Sequence, residues 1–125
     1  YLGVQTYDKA VNMFMNATAF VPNYTEAYVG MTTAFQALNE PDLVNYALGM
    51  QAFSKKDYKT ALDLLLKSAQ AKPDFPPTFA GLGMTYEAMN DLQNAKSSYE
   101  KAIKLDPSNF TATTGLQRVE ALLKK

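Results

Sequence analysis

The chain holds no cysteine, no histidine and a single arginine, Arg118, in its 125 residues. Without cysteine there is no disulfide framework and no thiolate metal site. Losing histidine as well removes the commonest general base and, with cysteine gone, the commonest intracellular nucleophile. Structural zinc and most transition metals lose their preferred ligands by the same absences. No catalytic centre, metal or cofactor is expected. Neither sign of charge is in excess, lysine plus arginine and aspartate plus glutamate numbering twelve each. A neutral chain poor in arginine makes a weak nucleic-acid binder, because phosphate neutralisation dominates that affinity. It also lacks the basic stripe that would draw it to an anionic membrane. No apolar run approaches about 18 residues, so no direct membrane insertion is expected. No signal peptide is visible. A first residue of Tyr1 rather than methionine points to a processed chain or an excised domain. Absence of cysteine suits cytosol and periplasm alike, and the cytoplasm is set slightly ahead.

What is present is a period. From Phe79 the chain carries Phe79, Leu82-Gly83, Tyr86, Asp91, Ala95, Tyr99, Ala102 and Asp106-Pro107. This spacing predicts two amphipathic helices with small residues where they cross and a proline closing the unit. It returns one period upstream as Leu48-Gly49, Asp57, Ala61, Leu65 and Pro73. A fixed period of about 34 residues marks a helical repeat array, in which no unit buries its apolar face alone. At these residues the chain resembles the tetratricopeptide repeat (TPR) family. The resemblance implies an all-α fold, a right-handed superhelical array of antiparallel helix pairs (a TPR-like α-solenoid). About seven helices are expected, with a closing C-terminal helix.

One TPR-like domain is expected over residues 1–125. A helix over 5–20, with Ala10, Phe14 and Ala17 at second-helix positions, opens the chain as an orphan. Asn23-Tyr-Thr-Glu26 reads as a capping box for a helix over 25–38 with Tyr28, Met31, Phe35 and Leu38 on one face. The period then breaks at Asn39-Glu-Pro-Asp42, where Pro41 suits a first helical turn. Residues 25–54 thus form an irregular helix pair, one helix short of the regular count. Either helix 25–38 serves as a first helix to its upstream neighbour and a second helix to its downstream one, or a segment is absent. The first reading is adopted. Asn45 stands where the family puts a large aromatic, and Tyr46 is expected to take over part of that packing.

Regular repeats occupy 42–75 and 76–109. Asp57 and Asp91 are placed as helix caps, and Ser68, where alanine is usual in the family, is a small-for-small change that costs little if its hydroxyl bonds back along the helix. Pro76-Pro77 opens the next helix without wasting donors. Residues 110–124 form a capping helix with one wet face, which an open array needs in order to end.

Motifs that carry chemistry are few. Gly81-Leu-Gly83 starts like a nucleotide fingerprint, but Tyr86 takes the third glycine's place and no strand precedes it. Glycines that let helices touch explain it better. Glu87 and Asp91 are four apart, yet Asp91 is better used as a cap than as half of an acid–base pair. Three glycosylation triplets, at Asn16, Asn23 and Asn109, carry no weight. Lys55, Lys56 and Lys59 cluster at a turn and read as a solvated edge.

In the family, first helices line a concave groove. Carried over by position, helix 25–38 contributes Val29, Gly30, Thr33 and Gln36, and helix 42–54 contributes Tyr46, Ala47, Met50 and Phe53. Helix 76–89 contributes Ala80, Gly81, Met84 and Glu87, and the closing helix Thr114, Gly115 and Arg118. Small residues recur at one position, Gly30, Ala47, Gly81 and Gly115, flanked by Tyr46, Met50, Phe53 and Met84. That pattern predicts a shallow apolar channel in which flexible methionines repack around different shapes. Members that grip a chaperone's C-terminal carboxylate use lysine, asparagine and arginine at these positions, and only Arg118 survives here. The chain is therefore placed outside that subgroup.

The resemblance and the channel imply a non-catalytic scaffold that binds an apolar or amphipathic peptide or helix of a protein partner. The alternative is a self-assembling structural module, a homo-oligomer formed through the orphan face of helix 5–20. An enzyme would need a cofactor-binding partner domain outside this chain.

Overall fold

The computed structural model describes residues 25–124. Six α-helices run through them: α1 (Thr25–Ala37), α2 (Pro41–Ser54), α3 (Tyr58–Ala71), α4 (Pro76–Ala88), α5 (Leu92–Leu105) and α6 (Phe110–Leu123). No strand occurs among the described residues. The helix expected over 5–20 and the cap at Asn23 lie outside them, and the self-assembly expectation lies outside with that helix. Each helix packs on the next, and α2 also meets α4, as α4 meets α6. This is an array of antiparallel helix pairs in which the first helix of one pair touches the first helix of the following pair.

Local chemistry sets the helix limits. Pro41 begins α2 and Pro76-Pro77 begin α4, where a missing N–H costs nothing. Asp57 caps α3 by accepting from the Thr60 N–H at 3.3 Å, and Asn109 caps α6 by accepting from the Ala112 N–H at 2.9 Å. Three helices end on one device. Asn39, Lys56 and Asn90 take left-handed backbone, with φ of 58°, 67° and 63°. The next residue's N–H then turns back into the helix: Glu40 to the Phe35 carbonyl, Asp57 to Ala52 and Asp91 to Tyr86, at 2.9, 2.9 and 2.8 Å. No positive φ follows α3 or α5, whose ends run instead into the corners at Pro73 and Pro107.

That device accounts for the broken period. The turn after α1 is of the same kind as the turns inside the two regular repeats, so α1 and α2 form a tight antiparallel hairpin. Thr25 donates its hydroxyl to Ser54 at 2.6 Å, and the Gln51 amide donates to the Thr32 hydroxyl at 2.6 Å. Among the described helices α1 meets α2 alone. The turn chemistry thus makes α2 a second helix to α1 and a first helix to α3, and what helix 25–38 does for its upstream neighbour lies outside the described residues.

The core is built around two repeat-equivalent side chains. Leu65 of α3 lies between Gly49 of α2 and Gly81 of α4, and Tyr99 of α5 lies between Gly83 of α4 and Gly115 of α6. Both are fully buried, each adding about 1.5–3 kcal/mol of apolar burial. Tyr46 is buried as expected and meets Phe75 edge-on at 5.4 Å between ring centroids. The Ser68 hydroxyl is satisfied across helices rather than along its own, donating to the Asp42 carbonyl at 2.8 Å and tying α3 to the start of α2.

Candidate functional site

The contacts of α2 with α4 and of α4 with α6 align positions one period apart into rows. One row is Tyr46, Ala80 and Thr114; the next is Ala47, Gly81 and Gly115. A third is Met50, Met84 and Arg118, and beside it run Phe53 and Glu87.

The small-residue row is not a channel floor. Ala47, Gly81 and Gly115 are all buried, and facing side chains lie on the two glycines. A Cβ on Gly81 would come within 2.7 Å of the Met50 sulfur, and one on Gly115 within 2.4 Å of the Tyr99 ring. Met50 is completely enclosed, and Tyr46 and Ala80 are buried with it. These residues are core, since the close approach that small residues allow is filled from within the molecule. Val29, Gly30, Thr33 and Gln36 stand apart from this row. Val29 is 47% exposed and Thr33 and Gln36 are exposed, with Gly30 half-buried, but α1 does not reach α4. They are not brought into the row of first helices. A shallow cleft beside that helix, lined by Gln36, Asn39, Glu40, Pro41, Val44 and Asn45, sits at the α1–α2 turn.

What remains reachable on the inner row is Phe53, Met84, Thr114, Glu87 and Arg118. Phe53 is half-buried with its ring 5.7 Å from that of Tyr58. Met84 is half-buried where the two halves of the core meet.

Glu87 and Arg118 form a bidentate pair, Nε donating to Oε2 at 2.7 Å and Nη2 to Oε1 at 2.8 Å. The Tyr99 hydroxyl donates to the same Oε1 at 2.8 Å. The Glu87 side chain is 19% exposed and the Arg118 side chain 53%. Burial alone would raise the Glu87 pKa. The hydrogen bonds from Arg118 and Tyr99, with the guanidinium's charge, outweigh it and hold the group below a glutamate's usual 4.5. Burial first, and then the Glu87 charge, push the Tyr99 phenol well upward. The hydrogen bond to Glu87 raises Arg118 further. All three groups therefore stay in one protonation state across the physiological range.

Sequence reasoning placed Glu87 and Arg118 in the groove singly and did not join them. The signal was their separation of 31 residues, three short of the period, which is also the separation of Phe53 and Met84. Asp91 is not part of this network. It caps α5, accepting from the Asn94 backbone N–H at 3.4 Å, and takes a second bond from the Asn94 side-chain amide at 2.7 Å. No group of three or more acidic residues able to hold a metal ion occurs among the described residues. No described helix is long and apolar enough to cross a membrane.

Residues 77–109 match the profile of the tetratricopeptide repeat. The chain is 25% identical over 125 residues to Tetratricopeptide repeat protein 1 of Schizosaccharomyces pombe, covering 98% of this chain and 12% of that protein. It is 30% identical over 105 residues to Heat shock protein STI1 of Saccharomyces cerevisiae, covering 83% of this chain and 18% of that protein. Its fold matches the first TPR of Spaghetti (RPAP3), solved bound to the HSP90 peptide SRMEEVD, with a TM-score of 0.68 at 19% identity. That match covers 99% of this chain and 95% of the other. The chain belongs to the tetratricopeptide repeat family. It spans less than a fifth of the length of these two curated relatives.

Proposed function

We propose that this chain is a non-catalytic protein-interaction module that holds an apolar or amphipathic segment of a partner protein against its inner row. One observation carries the proposal. Phe53 and Met84 are two large apolar side chains only half-buried in the register that the Glu87–Arg118 contact marks as the meeting line of successive first helices. A partner side chain entering there completes the burial of both, and methionine adapts to its shape. STI1 lends support as a relative in sequence, and the Spaghetti domain as a neighbour in fold that is seen with a bound peptide.

Selection from a random-peptide display library tests this. Apolar-rich sequences are expected, with affinity falling about tenfold or more in Met84→Glu or Phe53→Glu, while the far-ultraviolet circular dichroism stays unchanged. Selected peptides that bind both variants as well as the parent would overturn it.

A further inference from the structure

We propose that Glu87 is the specificity-determining residue of this groove: its carboxylate holds Arg118 where a ligand's carboxylate would otherwise sit, so the groove rejects acidic peptides and takes neutral-to-basic apolar ones. This rests on the inner row being a peptide groove. Arg118 is the chain's one arginine and the one cation among the inner-row positions. Its Nε and Nη2 are both engaged by Glu87, at 2.7 and 2.8 Å, in the two-pronged geometry that a peptide carboxylate would seek. Glu87 is also held in place. It accepts a third hydrogen bond from Tyr99, whose ring is fixed between Gly83 and Gly115.

An acidic ligand must therefore displace the carboxylate of a mostly covered side chain and leave it without Arg118 beside its own negative charges. That is a repulsive element against one class of partner, which is how a groove with little other polar chemistry discriminates. One repeat earlier the same two positions are Phe53 and Met84, which welcome apolar groups and offer nothing to a carboxylate. The peptide bound by the Spaghetti domain, SRMEEVD, is of the excluded class, with two glutamates and an aspartate.

The test uses a fluorescein-labelled SRMEEVD peptide with a free C-terminus, titrated by anisotropy against the parent chain, Glu87→Gln, Glu87→Ala and the double variant Glu87→Ala/Arg118→Ala. The parent and the double variant are expected to bind weakly and alike, and Glu87→Ala to bind about fivefold or more tightly than either. Glu87→Gln keeps an acceptor for the Tyr99 hydroxyl, so a gain there carries the test if Glu87→Ala does not fold. A parent that binds SRMEEVD as tightly as the single variants, or a gain that persists without Arg118, would overturn the assignment. Loss of apolar peptides in Met84→Glu is read separately. A groove that binds apolar peptides but shows no gain on Glu87 replacement sinks this inference alone, whereas failure of the Met84 and Phe53 variants sinks the groove itself.

Discussion

Leu65 and Tyr99 hold the same place in successive repeats, each wedged against glycines of the two flanking first helices. Only Tyr99 brings a hydroxyl, and the difference spreads. A phenol in a covered position needs a partner, and Glu87 supplies one where the preceding repeat has Phe53. A carboxylate that is mostly covered needs a countercharge, and Arg118 supplies it where the preceding repeat has Met84. One repeat is thus apolar at three linked positions and the next is hydrogen-bonded at the same three.

Tyr99→Phe isolates the first link. The ring still fills the space between Gly83 and Gly115, and Glu87 keeps its two bonds from Arg118. The expected cost is one hydrogen bond to a charged group that retains other donors, about 1 kcal/mol. Urea unfolding measures it. A loss beyond about 3 kcal/mol would mean that the hydroxyl holds more than this carboxylate.

Acid titration addresses the second link. The folded-state pKa of Glu87 lies below the usual 4.5, with the bonds from Arg118 and Tyr99 overcoming burial. A carboxyl lowered on folding contributes stability that is complete above the unfolded value and disappears as pH falls through the folded value. The parent should therefore lose its advantage over Glu87→Gln as pH drops below about 5. Partial exposure of the pair keeps that advantage small. Urea midpoints of the two chains that run parallel down to about pH 3 would count against the linkage.

Much of the fold was legible because it is written in spacing. Asp57 and Asp91, Pro73 and Pro107, and the paired glycines repeat at the period and each has a local physical role, so the helices after residue 41 fell where expected. The site was less legible. A small residue at a groove position and a small residue at a helix crossing look identical in sequence, and only the facing side chain decides between them. Met50 lies on Gly81 and Tyr99 on Gly115, which turns an expected channel floor into core. The placing of α1 depended on the turn at Asn39, because hydrophobic period alone does not distinguish a hairpin partner from a preceding first helix.

Gly115→Ala sets helix propensity against space. Alanine improves an unstrained helix interior by about 1 kcal/mol over glycine. Here its Cβ would lie 2.4 Å from the Tyr99 ring, which is fully enclosed and also meets Gly83. Overpacking of this kind costs about 1–3 kcal/mol, so the net sign is destabilising. Thermal unfolding that shows a raised midpoint would mean that α6 moves away from α5 freely.

Lys56→Gly runs the other way. Lys56 holds a φ of 67° in the turn between α2 and α3, at an exposed position. Glycine takes that backbone without a Cβ penalty of about 1 kcal/mol, at the expense of a looser unfolded chain. A modest net gain is expected, and Lys56→Val should lose stability because a branched Cβ worsens the crowding. Equal midpoints for the glycine and valine variants would show that the turn is not strained.

Met50→Ala and Met84→Ala separate core from groove at one repeat position. The two methionines lie one period apart and share a register, but Met50 is completely enclosed and Met84 is half-buried. Removing Met50 opens space against Gly81, whose own lack of a side chain leaves nothing to fill it. The cost should fall in the range of about 2–5 kcal/mol typical of buried methionine deletions. Water already reaches part of Met84, so its removal forfeits less transfer energy and leaves a dent rather than a cavity. Its stability loss should be less than half that of Met50→Ala, while its effect on apolar peptide binding should be the greater of the two. Chemical denaturation and peptide titration on the same pair give both orderings. If the stability order reverses, the assignment of Met50 to the core and Met84 to the recognition surface falls with it.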